Sequence, residues 1–271
     1  MVSLILLLQI AALFLSAGLL LAAAPVLELP IRCTPGQDCF IQNYFDHDSG
    51  PAAYDFTCGK LTYDGHHGTD FRLRDLVAMR NKVAVVAAAP GTVLNIRDGE
   101  QDLNVKLRDK NSLQGKEAGN GVRIDHGDGW TTQYSHLLKG TVSVQKGQRV
   151  NTGDVLGMVG LSGNTEFPHV DFSVSKDEQP VDPFNLEPKI CGTPAQTLWS
   201  PAVLPKLQYQ QTGVLISGFA TTSPQSDIAE AGGYDARTSK KFWILTMKTW
   251  WRAAAYAMRT WPWEMQPFPR D

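Results

Sequence analysis

The sequence predicts a mainly β fold, an antiparallel sandwich or groove, and three observations carry that prediction. From Lys82 onward, short runs rich in β-branched residues are split by turn dipeptides such as Pro90-Gly91, Asp98-Gly99 and Lys146-Gly147. The runs recur at the short spacing of an all-β domain. Pro168 to Val174 alternates strictly, which puts His169, Asp171 and Ser173 on one face and Val170, Phe172 and Val174 on the other. With 43% apolar residues in 271, the chain can pack a core as one large domain or one domain with appendages.

In chain order, the first feature is an apolar run without a charge, Val2 to Ala24, ending in Ala22-Ala23-Ala24. It predicts an N-terminal apolar helix that serves as a signal peptide or a membrane anchor. No Lys or Arg precedes the run and Pro25 follows the best cut point, which weakens the cleavage pattern. The run also reaches the roughly 20 residues needed to span a bilayer. Under either reading the rest of the chain is exported. Four cysteines, Cys33, Cys39, Cys58 and Cys191, show no Cys-x-x-Cys spacing, so disulfides in an oxidising compartment are predicted over a thiolate metal site. Of the three pairings possible, Cys33 with Cys39 closes a short Pro-Gly loop, and Cys58 with Cys191 brackets every candidate ligand. That is the expected pattern.

The strands expected next are Lys82 to Ala89, Gly91 to Arg97, Gly121 to Asp125, Trp130 to His136, Thr141 to Val144 and Val155 to Val159, with a hairpin at His126-Gly127-Asp128-Gly129. Gly213 to Ala220 reads as one more strand. Lys241 to Thr260 has no helix breaker, and at 100° per residue Lys241, Lys248, Arg252 and Arg259 form one stripe opposite Trp243 and Trp250. A C-terminal amphipathic helix is predicted there, with membrane association through it or through the N-terminal anchor. The net charge of −2 shows no footprint for a nucleic-acid partner.

The chemistry starts at His66-His67-Gly68-Thr69-Asp70, a histidine and a carboxylate four residues apart around a glycine, which is a metal-ligand spacing. Alone the pair has little weight, because the two residue types meet at this spacing by chance. His136 at the end of a strand, with His169 and Asp171 on the polar face of another, raises the number of convergent polar groups to five. Rival chemistry is thin. Gly160-Leu161-Ser162-Gly163 is not a nucleophile elbow, so Ser162 belongs to a turn. His67 is a loop neighbour, His126 sits in a hairpin turn, and His47 between Asp46 and Asp48 reads as part of an exposed acidic loop.

These motifs, in order, are His-x-Gly-x-Asp, Gly-Asn-Gly-Val-x-Ile-x-His-Gly-x-Gly-Trp, Tyr-Ser-His-Leu, Lys-Gly-Gln-x-Val, Gly-x-Val-Gly-x-Ser-Gly and Pro-His-x-x-Phe. From about Asp64 to Phe184 the chain thereby resembles the lysostaphin-type (LytM-domain) zinc metalloendopeptidases of bacterial peptidoglycan. The resemblance implies a β-sheet groove with one zinc ion at its floor, hydrolysis of peptidoglycan peptide cross-links, and a place in the bacterial periplasm or cell envelope. It also implies that His66 and Asp70 are metal ligands and that His136 and His169 serve the chemistry without holding metal. Members of the family usually carry His-x-His in the last strand, and Asp171 stands where the second of those histidines completes the metal site. Two readings stand at this point. Either Asp171 is the third ligand, leaving the divalent ion with no net charge where the family site leaves one positive charge, or the domain is degenerate and non-catalytic, binding peptidoglycan or regulating a cell-wall amidase. The chain divides accordingly into 1–24, the signal peptide or anchor; 25–57, a disulfide-bearing segment; 58–191, the metallopeptidase domain; 192–236, an irregular segment; and 237–271, the Trp-rich basic tail.

Overall fold

A computed structural model describes residues 23–187, 191–192, 196–219, 225–233 and 243–247. The segment predicted as an N-terminal helix lies almost wholly outside these residues. Among the described residues no helix is long and apolar enough to cross a membrane.

The elements are β1 (Cys39–Ile41), β2 (Thr69–Leu73), α1 (Leu76–Arg80), β3 (Ala84–Val86), β4 (Gly91–Arg97), β5 (Asn120–Gly127), β6 (Trp130–Leu137), β7 (Arg149–Val150), β8 (Val155–Met158), β9 (His169–Lys176), β10 (Gln179–Val181), β11 (Val214–Phe219), α2 (Ser226–Glu230) and β12 (Trp243–Met247). One large sheet runs β1-β2-β9-β6-β5-β4-β7, with β10 pairing the far end of β9. The ladders are antiparallel. Two-stranded ribbons β3-β8 and β11-β12 complete the described strands. The fold is therefore mainly β and antiparallel, as the turn spacing predicts.

Alternation explains why one face of the large sheet is dry. Val122, Ile124, Tyr134, Val170, Phe172 and Val174 are all buried and belong to a single core. The β3-β8 ribbon joins that core through Val85 and Leu156. The Tyr134 hydroxyl accepts the Ala88 amide at 2.8 Å, tying the ribbon's edge to the sheet. Both flanks of the sheet region contribute as well, with Leu27, Ile31 and Tyr44 from the N-terminal side and Leu198, Trp199 and Val203 from the C-terminal side. Both expected disulfides are formed, Cys33 to Cys39 and Cys58 to Cys191.

Several elements differ from expectation. Lys82 to Ala89 pairs as a strand over Ala84–Val86 alone, because Ala87 gives its amide to the Asp154 carbonyl in a loop at 2.9 Å. Thr141 to Val144 forms no strand; Ser143 makes an isolated backbone bond to Leu156 at 3.0 Å. The stretch from His66 to Asp70 runs into β2, of which Thr69 and Asp70 are the first two residues. Trp243–Met247 is a strand paired antiparallel with β11 where the tail helix is predicted. The rest of that predicted helix lies outside the described residues. His47 is not in an exposed loop: its side chain is 2% exposed, and Nε2 lies 2.7 Å from the Asp182 carboxylate.

Candidate metal centre

Register brings the distant residues together. β2 lies beside β9 with Asp70 directly opposite Asp171, so two carboxylates project side by side from neighbouring strands. His66 enters just before β2, and its Nδ1 donates to the Tyr44 carbonyl at 2.8 Å. Its Nε2 then lies 3.2 Å from Asp70 Oδ1, and His169 Nε2 lies 3.5 Å from the same oxygen. The second Asp70 oxygen accepts from Asn43 Nδ2 at 2.6 Å. Ligand atoms of His66, Asp70 and Asp171 all fall within 4.8 Å of one another. The other grouping of this kind among the described residues, Cys33, Asp38 and Cys39, contains two sulfurs already joined to each other.

His136 arrives by a different device. Plain alternation along β6 would put it on the core side with Thr132 and Tyr134, which are fully buried. Instead Asn120 pairs with Leu137 and Val122 with Tyr134, so Ser135 and His136 together oppose Gly121 alone. This is a β-bulge, and it turns the His136 side chain toward the cluster. The residue has φ +63°, a left-handed conformation uncommon outside glycine. Two bonds hold it there, from its amide to the Ala118 carbonyl at 2.9 Å and from Nδ1 to the Ser162 carbonyl at 2.7 Å. Its ring centroid is 4.6 Å from that of His169. His169 is aimed by the Phe167 carbonyl, 2.9 Å from Nδ1. Each of the three Nδ1 atoms is thus committed to the main chain, which fixes Nε2 as the nitrogen facing the cluster.

The electrostatics are those of a site short of positive charge. Burial, reinforced by the neighbouring Asp70 carboxylate, pushes Asp171 up to about 7. Burial also disfavours a charged Asp70, yet His66 and His169 outweigh it and hold that carboxyl well below the usual range. Burial likewise opposes charge on His66, and the Asp70 carboxylate overrides it, raising the imidazole to about 9. Burial and the adjacent His169 lower His136 to about 3, and burial lowers His169. Both are neutral bases at neutral pH.

The fit of a cation can be tested on two atoms. Asp171 Oδ1 is buried and has no hydrogen-bond partner. A buried carboxylate oxygen without a partner is costly, and a metal ion satisfies it. The same oxygen rests against the bare α-carbon of Gly68, where a Cβ would overlap it. One imidazole and two carboxylates suit a divalent ion with mixed nitrogen and oxygen ligands.

All five residues singled out in the sequence, His66, Asp70, Asp171, His136 and His169, are therefore gathered in one place. Spacing gave no signal for Asn43 or for Tyr63, whose ring stacks on His66 at 4.5 Å. Burial, then the Asp70 and Asp171 carboxylates, raises the Tyr63 hydroxyl above its ordinary range, so it keeps its proton. Ser162 is fully buried and structural: Oγ donates to the Leu137 carbonyl at 2.7 Å and accepts the Asn120 amide at 2.9 Å.

A cluster with a donor set for a metal ion, on the polar face of an antiparallel sheet and flanked by two histidines, is the kind of site that a metal-dependent hydrolase uses. Residues 64–183 match the model of Peptidase family M23. The match begins at the residue, and ends within one, of the stretch marked out by the motifs.

Two curated relatives are similar to it. The peptidoglycan DD-endopeptidase ShyA of Vibrio cholerae serotype O1 is 31% identical over 117 residues, covering 43% of this chain and 22% of that protein. The DD-carboxypeptidase/endopeptidase Mpg of Neisseria meningitidis serogroup B is 32% identical over 112 residues, covering 40% of this chain and 24% of that protein. The chain spans less than a quarter of either relative. Among solved structures, the antimicrobial peptidase lysostaphin from Staphylococcus simulans aligns with 20% identity and a TM-score of 0.33, covering 51% of this chain and 44% of that one.

Proposed function

We propose that this protein is an exported, zinc-dependent endopeptidase that hydrolyses the peptide cross-links of peptidoglycan in the bacterial periplasm or cell envelope. The observation that carries the reading is the buried, partnerless Asp171 Oδ1 beside Asp70 and His66. The relative named as a peptidoglycan DD-endopeptidase supports the substrate class, and the two disulfides support an oxidising compartment. The metallopeptidase unit is 58–191, and the segments on either side of it complete its core.

His66 Nε2 and oxygens of Asp70 and Asp171 would hold the zinc ion, with Asn43 and the Tyr44 carbonyl orienting the first two. Bound there, zinc supplies Lewis-acid chemistry, making water more acidic and polarising a substrate carbonyl. The remaining work belongs to the side chains. His136 and His169 are neutral, with Nε2 free to accept the proton of the attacking water and to pass it to the leaving amine. Once protonated, the same nitrogens donate to the developing oxyanion. Tyr63, protonated throughout, is a further donor on the His66 side.

Three results test the reading. Purified protein is expected to contain near-stoichiometric zinc and to release peptides from isolated sacculi. His169→Ala is expected to lower that release by about 10²- to 10⁴-fold with zinc content unchanged; zinc loss in this variant would move His169 from proton carrier to ligand.

Metal affinity is expected to rise with pH. His66 holds a proton up to about 9 and Asp171 up to about 7 in the metal-free site, and the cation must displace both. Each displaced proton makes affinity climb about tenfold per pH unit below its own pKa. Chelator competition between about pH 6 and about pH 8 measures this, and a flat profile would remove both residues from the ligand set.

One observation favours the second reading, a non-catalytic domain that binds peptidoglycan or regulates an amidase. Two carboxylates cancel the charge of a divalent ion, which weakens its pull on water and carbonyl. Asp171→His restores one positive charge and is expected to raise both zinc affinity and hydrolysis. A rate unchanged or lowered in that variant contradicts the assignment of Asp171.

A further inference from the structure

We infer that the open face of the sheet beside the metal cluster is a carboxylate-recognising subsite, with Arg123 as its anion-binding group and Glu178 as an internal competitor that the incoming carboxylate displaces. The inference rests on the endopeptidase reading and adds a substrate preference to it: a peptide bearing a carboxylate a few residues from the bond that is cut.

Register lays out the surface row by row. Nearest the cluster, Asp171 stands opposite Ser135. In the next row Ser173, Gln133 and Arg123 are neighbours across three strands, and beyond it lie Ser175, Thr131 and Asp125. Every side chain in these rows is polar, and those between them, such as Thr132 and Phe172, point into the core and are fully buried. Arg123, Thr131, Gln133, Ser173, Ser175 and Glu178 line a depression of about 230 Å³. That is below the roughly 300–1,000 Å³ of a site for a whole small ligand. It fits the end or side chain of a longer molecule whose other part lies elsewhere on the face.

The rows also give a distance. Two to four residues along β9 separate Asp171 from Ser173 and Ser175, or about 7 to 13 Å at strand geometry. An extended peptide with its reacting carbonyl at the cluster places a group two to four residues away over the depression.

The charged pair selects what that group is. Arg123 Nη2 donates to Thr131 Oγ1 at 3.2 Å and to Glu178 Oε2 at 2.7 Å. Thr131 is part of the sheet, so the guanidinium is fixed over the face. Glu178 hangs from the β9-β10 turn with its side chain 74% exposed, against 31% for Arg123. An ion pair that exposed is weak. The Glu178 carboxylate therefore marks the position an anion takes and leaves it readily, and Gln133, Ser173 and Ser175 supply neutral hydrogen bonds around it. Asp125 and Glu178 are the carboxylates bordering the subsite, and they limit it to one incoming anion.

The test uses the full chain with zinc and two N-acetylated alanine pentapeptides, one ending in a carboxylate and the other in a carboxamide. Binding is read by calorimetric titration. The wild type is expected to favour the carboxylate about fivefold, and Arg123→Gln to bring the ratio to about one with carboxamide affinity unchanged. Glu178→Gln, which removes the competitor, is expected to tighten carboxylate binding about threefold. Equal binding of the two peptides by the wild type overturns the inference, and so does a preference that survives Arg123→Gln. Zinc content and peptide release from sacculi are measured on the same samples. Preference without hydrolysis keeps the subsite and removes the endopeptidase reading; hydrolysis without preference does the reverse.

Discussion

Gly68→Ala is expected to lower zinc affinity by about 10- to 100-fold while leaving the fold intact. The added methyl group overlaps Asp171 Oδ1, and lies 3.0 Å from Asp171 Cγ and 3.3 Å from the Phe172 carbonyl oxygen. That carbonyl belongs to β9 in the centre of the large sheet, so the strand cannot yield. The carboxylate has to swing out of the cluster. Gly213→Ala is the matched control, because a Cβ there meets nothing within 4 Å. Chelator competition on both variants, with circular dichroism to confirm folding, gives the comparison. Equal affinities would mean that Asp171 takes no part in holding the ion.

Replacing Cys58 and Cys191 by serine is expected to destabilise the protein by about 4 to 5 kcal/mol, whereas the same change at Cys33 and Cys39 should remove only about 2 kcal/mol. The difference is one of loop length. The first bridge closes a sequence separation of 133 and the second a separation of 6, and a longer closed loop restricts the unfolded chain more. In a domain of this size the larger loss corresponds to a fall in melting temperature of roughly 10 to 20 °C. Urea unfolding under non-reducing conditions measures both variants. If they proved equally destabilised, restriction of the unfolded chain would not be the source of the stability.

Much of this was open to a reader of the sequence, for identifiable reasons. β4, β6 and β9 announce themselves by β-branched runs and alternation between turns, and β9 alone assigns His169 and Asp171 to the wet face. Both disulfides follow from where the cysteines stand relative to the ligand region. What stayed hidden depends on tertiary pairing. β2 is buried at every position, so it has no alternation to reveal that Asp70 lies on a strand. The placement of His136 is decided by the bulge opposite Gly121, and strict alternation puts it on the wrong side of β6. Tyr63 and Asn43 are brought in by loops whose course only the folded chain specifies. His47 misleads because its acidic neighbours in sequence are not its partner in space, which is Asp182. At the C-terminal end, helical periodicity in Trp243–Met247 gives way to pairing with β11.

Main-chain oxygens of Tyr44, Ser162 and Phe167 aim all three imidazoles of the site. A carbonyl is present whatever amino acid occupies the position, so substitution there leaves the acceptor in place. The rings' bearing is thus indifferent to side-chain identity at those points and sensitive to backbone length. Replacement of Tyr44 or Ser162 disturbs packing and hydrogen bonding around the site but keeps the acceptor, while insertions or deletions in the same segments move the carbonyl itself and should be tolerated poorly.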